Sequence, residues 1–218
     1  MAAACGTGTA IVYIGNPNNP TGTYVTRAEL DDFLTRLPES VLVVLDEAYR
    51  DYVEAPDYPD GIEDLRRGRS VAVLRTFSKI HGLAGLRVGY AALPAELAAA
   101  VERVRSPFNT SVIGQAAALA ALGDDDHVRR SRDENSRERA FLTGEIADRK
   151  LAFIPSVTNF LLVETELDAQ DLYIRLLRQG VIVRPMGSYG FPRGVRVSVG
   201  THTESLRFLA ALDRVLAT

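Results

Sequence analysis

The sequence predicts an α/β fold built on a mostly parallel sheet, followed by a smaller α+β unit. Three observations carry that expectation. Short, continuously apolar runs recur in the first part of the chain, and each ends in polar residues of a chemically useful kind. A segment with helical spacing separates the first two runs, which is the crossover that parallel strands require. Beyond about residue 141 the pattern changes to strands and helices without that regular alternation.

Ile11 to Ile14 is the first run, and it leads into Gly15-Asn-Pro-Asn-Asn-Pro-Thr-Gly22. Thr26 and Glu29 then stand at capping-box spacing, and Leu30, Phe33, Leu34 and Leu37 follow on one helical face until Pro38. Val41 to Leu45 leads into Asp46-Glu-Ala-Tyr49, and Val71 to Leu74 leads into Arg75-Thr-Phe-Ser-Lys79. Continuous rather than alternating apolar residues predict strands buried on both faces. Arg87 to Leu93 reads as a further strand. Helices follow from about Ala95 to Arg105, from Ser111 to Leu122, and from Asp125 towards Arg149. The remainder reads as strand Asn159–Val163, a helix over Ala169 to Gln179, and strands Val181–Val183 and Val195–Val199. Thr201 and Glu204 cap a last helix that carries Phe208, Leu212 and Val215 on one face. The predicted organisation is residues 1–107 as part of a large domain, 108–140 as connecting helices, and 141–218 as the small domain.

Composition narrows the function. The 218 residues are 46% hydrophobic and 24% charged, ordinary values for a soluble globular chain. A net charge of -3 argues against general nucleic-acid binding. Cys5 is the sole cysteine, and His81, His127 and His202 have no metal-ligand spacing, so neither a disulfide nor a metal centre is expected. No apolar stretch approaches the roughly 20 residues of a membrane span, and the opening residues make a poor signal peptide, so the expected location is the cytoplasm.

Ligands of open α/β sheets sit beyond the carboxyl ends of the strands. There the sequence delivers Asn19, then Asp46 with Tyr49, then Lys79. A pyridinium nitrogen needs a carboxylate, which Asp46 supplies. A ring oxygen needs donors, which Asn19 and Tyr49 supply. An aldehyde needs an amine, the role open to Lys79. A phosphate needs hydroxyls and a guanidinium, which Thr76, Ser78 and Arg87 offer. Each residue alone has a plainer reading: Lys79 as a surface lysine, Tyr49 as a packing residue, Asn16 to Gly22 as a rigid turn, Arg196 as an edge residue. Asp46-Glu47 after an apolar run also matches the metal-binding strand of a nucleotide hydrolase, but the GxxxxGK[ST] phosphate loop is lacking.

Asn19-Pro-Thr-Gly22, Asp46-Glu-Ala-Tyr49, and Ser78-Lys79 followed by Gly85-Leu-Arg87 resemble, in order and spacing, the class I/II aminotransferases of pyridoxal-phosphate fold-type I. Gly180-Val-Ile-Val-Arg-Pro-Met and Arg196-Val-Ser-Val-Gly-Thr201 most resemble the histidinol-phosphate aminotransferases and their relatives acting on aromatic amino acids. The resemblance runs over essentially the whole chain. It implies a large domain with a mostly parallel sheet and helices on both faces, only part of which is present here, and a small C-terminal α+β domain. It implies pyridoxal 5'-phosphate as cofactor and Lys79 as the lysine that bonds its aldehyde and moves the proton. Asp46 would pair with the ring nitrogen, Tyr49 and Asn19 with the ring oxygen, and Thr76, Ser78 and Arg87 with the phosphate. Arg196, with Arg184 as second candidate, would take the acidic end of the substrate. The implied reaction is transamination between L-histidinol phosphate and 2-oxoglutarate in histidine biosynthesis, or a related aromatic transamination, by a homodimer. The resemblance also implies that an N-terminal third is absent. With it would go a glycine loop for the phosphate and two strands, one of them lying between those starting at Ile11 and Val41. Two rival expectations follow: a non-catalytic remnant or half of a split enzyme, and a related decarboxylase or lyase using the same cofactor residues.

Overall fold

A computed structural model describes residues 1–217. The chain divides into two compact units, one made of Met1–Pro17 and Tyr24–Arg129, the other of Asn18–Thr23 and the chain from Arg130 onward. The first is α/β and the second α+β, as the apolar pattern predicts.

In the first unit the elements run β1 (Ile11–Gly15), α1 (Arg27–Thr35), β2 (Leu42–Asp46), α2 (Gly61–Arg66), β3 (Val71–Thr76), β4 (Gly89–Ala92), α3 (Ala95–Val104) and α4 (Val112–Leu122). The sheet order is β1-β2-β3-β4, parallel through β3 with β4 antiparallel at the edge. α1 starts as its sequence demands. The Thr26 hydroxyl accepts from the Glu29 N–H at 3.3 Å, while the Glu29 carboxylate accepts from the Thr26 N–H at 2.9 Å. Its Leu30 lies in a core with Ile14, Val43, Leu45, Val71 and Val73, and Phe33, Leu34, Leu37 and Ile62 pack around it.

The short helix α2 carried no periodic signal. Asp60 caps it by accepting from the Ile62 N–H at 3.0 Å. Gly61 is required by space alone, since a Cβ there would stand 2.7 Å from Glu47 Oε1 and 2.8 Å from Leu45. The buried Asp64 ties α2 to α1, accepting from Arg27 at 2.7 Å and from Arg69 at 3.0 Å.

The structure corrects three expectations in this unit. β1 pairs directly with β2, from Ile11 opposite Leu42 to Gly15 opposite Asp46, so no strand lies between them. Burial alternates along β1 and β2 instead of covering both faces. α1 and α2 cover the side carrying Ile14, Val43 and Leu45; the opposite side carries Tyr13, which is 58% exposed, and the half-buried Asp46 and Leu74. The strand predicted from Arg87 starts only at Gly89, because Arg87 is left-handed (φ 54°, ψ 46°) and cannot continue a pleat.

Helix α5 (Asp125–Asp148) runs into the second unit, which continues with β5 (Ala152–Ile154), β6 (Phe160–Glu164), α6 (Ala169–Arg178), β7 (Arg184–Pro185), β8 (Gly194–Ser198) and α7 (His202–Leu216). Its sheet has the order β5-β6-β8-β7 and is antiparallel throughout. β5, three residues long, was not anticipated. The strand predicted at Val181–Val183 is replaced by pairing at Arg184–Pro185. The reason is the end of α6: Gly180, left-handed at φ +75°, donates to the Leu177 carbonyl, and the Val181 N–H donates to that of Leu176. Val181 is thereby part of a helix cap.

Leu142, Ile146, Leu161, Leu172, Leu176 and Leu212 lie at the centre of this unit, each at most 1% exposed. Leu172→Ala is expected to destabilise the chain by about 2–5 kcal/mol, from lost apolar contact plus the cavity left behind. Urea unfolding measures this, and a loss below about 1 kcal/mol would show that the site collapses around the gap. Among the described residues no helix is long and apolar enough to cross a membrane.

Candidate active site

At the carboxyl ends of β2 and β3 the first unit opens a cavity of ≈ 320 Å³, lined by Asp46, Thr76, Ser78, Lys79 and Arg87. That is small-molecule size. Asp46 closes β2, and its register opposite Gly15 and Leu74 sets it at the rim. One carboxylate oxygen accepts from the Ala48 N–H at 3.1 Å; the other accepts from the Tyr13 hydroxyl. Partial burial and the neighbouring Asp46 push the Tyr13 hydroxyl up to about 12, so it remains a donor through the neutral range.

Past β3 the chain turns sharply. The Thr76 hydroxyl accepts from the Ser78 N–H at 3.0 Å, which fixes the bend that presents Ser78 and Lys79. Lys79 Nζ lies 4.9 Å from the centroid of the Tyr49 ring, within cation–π range. Tyr49 is buried and heads the short turn at Arg50–Tyr52, so the lysine rests on a fixed aromatic surface. The left-handed backbone at Arg87 is costly for a residue with a Cβ. Its neighbour Val88 is buried and accepts from the Phe77 N–H at 3.2 Å, which holds the turn in place. The Arg87 guanidinium donates to the Ala84 carbonyl at 2.9 Å.

Glu47, next to Asp46, is 2% exposed and serves a different end. It accepts from the Gly61 N–H at 2.8 Å and from Arg75 at 2.8 Å, and Arg75 in turn reaches Asp60 at 2.7 Å. Burial pushes the Glu47 carboxyl up, and Arg75 leads the groups that pull it back. This network locks the Asp46–Tyr49 segment from below. It also commits Glu47 away from the metal-binding role that the dipeptide suggested.

The second unit gathers the other candidates. Arg196 on β8 donates to Asn19 Oδ1 at 2.6 Å, and its guanidinium carbon lies 5.0 Å from the centroid of the Phe160 ring. Among the described residues the buried Nε of Arg196 has no hydrogen-bond partner. Arg184 on β7 stands directly opposite Arg196 in the register. Two like charges so placed repel one another, and an anion between them would reverse that cost.

The structure thus brings Asp46, Thr76, Ser78, Lys79 and Arg87 to one cavity, with Tyr49 beneath Lys79. It brings Asn19, Arg184 and Arg196 together within the second unit. Sequence reasoning missed Tyr13 and Arg75, and gave Glu47 only the rival metal-binding role. For Tyr13 the sequence held no signal: it shares a face with Asp46 only through the register that sets it opposite Val44, two residues before Asp46.

Residues 2–212 match the family model for aminotransferase class I and II. Histidinol-phosphate aminotransferase 1 of Nitrosococcus oceani is 50% identical over 99% of this chain and 58% of its own length. The histidinol-phosphate aminotransferase of Moorella thermoacetica is 46% identical over 100% of this chain and 56% of its own. The crystal structure of histidinol-phosphate aminotransferase from Sinorhizobium meliloti, in complex with pyridoxal-5'-phosphate, superposes with a TM-score of 0.87 at 36% identity, covering 95% of this chain and 57% of that one. The chain therefore spans under two thirds of the length of these relatives. On the match of its motifs, its fold and nearly all of its residues, the chain belongs to the class I and II aminotransferase family.

Proposed function

We propose that this chain carries the pyridoxal-phosphate site of an aminotransferase that exchanges an amino group between L-histidinol phosphate and 2-oxoglutarate. The observation that carries the reading is the single cavity holding a carboxylate, an amine, two hydroxyls and a guanidinium: Asp46, Lys79, Thr76, Ser78 and Arg87. That donor set suits an aromatic aldehyde with a ring nitrogen and a phosphate, and no simpler ligand needs all of it. Bound pyridoxal phosphate supplies the aldehyde that takes up the amino group and the ring that accepts the electron pair from the substrate α-carbon.

The protein's residues then divide the work. The Lys79 amine would hold the aldehyde carbon, its oxygen leaving as water, and would move the proton at the substrate α-carbon. The Asp46 carboxylate keeps a proton on the ring nitrogen. Thr76, Ser78 and Arg87 bind the phosphate, and Tyr49 and Asn19 donate to the ring oxygen. Arg196 and Arg184 bind the substrate phosphate, a role that the facing register of the two arginines supports. On this reading the enzyme works in the cytoplasm as a homodimer, as the family resemblance implies.

The test is an absorbance titration of the purified chain with pyridoxal phosphate. A visible band that requires Lys79, and that bleaches on adding L-histidinol phosphate, is the expected result. A folded chain that gives no lysine-dependent band would refute the reading and favour a remnant without catalytic function. A band lost to aromatic amino acids but unmoved by histidinol phosphate would change the substrate assignment. Release of carbon dioxide from an added amino acid would favour the decarboxylase.

A further inference from the structure

We infer that Tyr13 is a positioning residue for Asp46, fixing the orientation of the carboxylate that would pair with the ring nitrogen of the cofactor. The inference rests on the pyridoxal-phosphate reading of the cavity. Its starting point is the parallel pairing of β1 with β2. Tyr13 stands opposite Val44, and Asp46 lies two residues further along β2, on the same face by the pleat. A tyrosine is long enough to reach that diagonal neighbour, and its hydroxyl donates to Asp46 Oδ2.

What this does to Asp46 follows from the carboxylate's own freedom. The terminal torsion of an aspartate is broad and roughly two-fold, so one anchored oxygen leaves the plane of the group soft. Here Oδ1 accepts from the Ala48 N–H at 3.1 Å and Oδ2 accepts from Tyr13, so both oxygens are held. A carboxylate has about four acceptor positions, so two donors leave it free to accept from a ring N–H as well. The choice of donor also matters. An arginine or lysine at position 13 would offset the negative charge that keeps the ring nitrogen protonated. A neutral phenol fixes the geometry and leaves the charge in place. Nor is the bond a by-product of core packing, because Tyr13 is 58% exposed on the less covered side of the sheet.

The experiment is a double-mutant cycle read by cofactor binding. Tyr13→Phe removes the hydroxyl and keeps the ring; Asp46→Asn removes the charge that it serves. Pyridoxal phosphate is titrated into the wild-type chain, each single variant and the double variant, following the lysine-dependent visible band and its pH midpoint. Expected is a Kd about tenfold weaker in Tyr13→Phe, the weaker end of the range for a bond to a charged group, together with a displaced pH midpoint. In the Asp46→Asn background Tyr13→Phe should change neither quantity. Urea unfolding of Tyr13→Phe should remain cooperative with an unchanged slope, which shows that the variant keeps the fold. An unchanged Kd and midpoint in Tyr13→Phe, or the same loss in both backgrounds, would overturn the inference while leaving the cofactor reading intact. Absence of any lysine-dependent band in the wild type would overturn both.

Discussion

On the proposed function, replacing Lys79 by alanine is expected to lower transamination by at least about 10³-fold, since positioned proton transfer alone contributes roughly 10²–10⁴-fold and the same amine would also bond the aldehyde. The structure gives reason to expect a clean loss. Lys79 sits in a bend set by Thr76 and Ser78, and its Nζ rests over the ring of the buried Tyr49. The truncation removes that contact and leaves the strand and the turn in place. Cofactor affinity should fall but not vanish, because Thr76, Ser78, Arg87 and Asp46 line the same cavity. Steady-state assay with L-histidinol phosphate and 2-oxoglutarate, with equilibrium dialysis of pyridoxal phosphate alongside, checks both parts. Undiminished turnover in Lys79→Ala would end the assignment.

The second large effect concerns stability. Arg75→Ala should cost about 3–5 kcal/mol, because it leaves the buried Glu47 carboxylate without its main cation. Arg50, whose Nε lies 3.5 Å from Glu47, offsets a part, so the lower end of that range is expected. The pH dependence has a definite sign. Burial raises the folded-state value of Glu47, so its contribution is fully present below the ordinary carboxyl range and is lost as pH rises through the folded value. Removing Arg75 raises that value further. The destabilisation should therefore be larger at about pH 8 than at about pH 5. Urea unfolding at the two pH values reads it. A penalty that is equal or smaller at the higher pH would mean that Glu47 takes up solvent or another cation once Arg75 is gone.

Local features of the fold were written plainly in the sequence. Thr26 with Glu29 and Thr201 with Glu204 are reciprocal caps that involve neighbours only, and both helices begin where those residues stand. The apolar runs Val41–Leu45 and Val71–Leu74 likewise form strands, ending at Asp46 and Thr76, that feed the cavity. What escaped was non-local or sterically particular. The direct pairing of β1 with β2 is decided by which edges meet, and composition does not record that. Val181 looked like a strand residue because its β-branched side chain is apolar, yet its N–H was already taken by the end of α6. Arg87 was legible as a guanidinium beside the lysine, but not as a left-handed residue that delays β4. In the sequence Tyr13 is only one more apolar position in a run. Its hydroxyl gained meaning when the register placed Asp46 on the same face. A residue's type announces its chemistry, whereas its partner depends on a register that one strand alone does not contain.

The six-residue segment Asn18–Thr23 belongs to the second unit although it lies between β1 and α1 of the first. The Gly22 carbonyl accepts from the Val157 N–H at 2.9 Å, and Asn19 accepts from Arg196. The second unit is therefore discontinuous along the chain. Cutting the gene at residue 130 would not yield two self-sufficient pieces, because the downstream product would lack a peptide that its own backbone and its own arginine bind. Supplying that peptide in trans, or grafting it onto the downstream piece through a linker, is what independent expression of the unit would require.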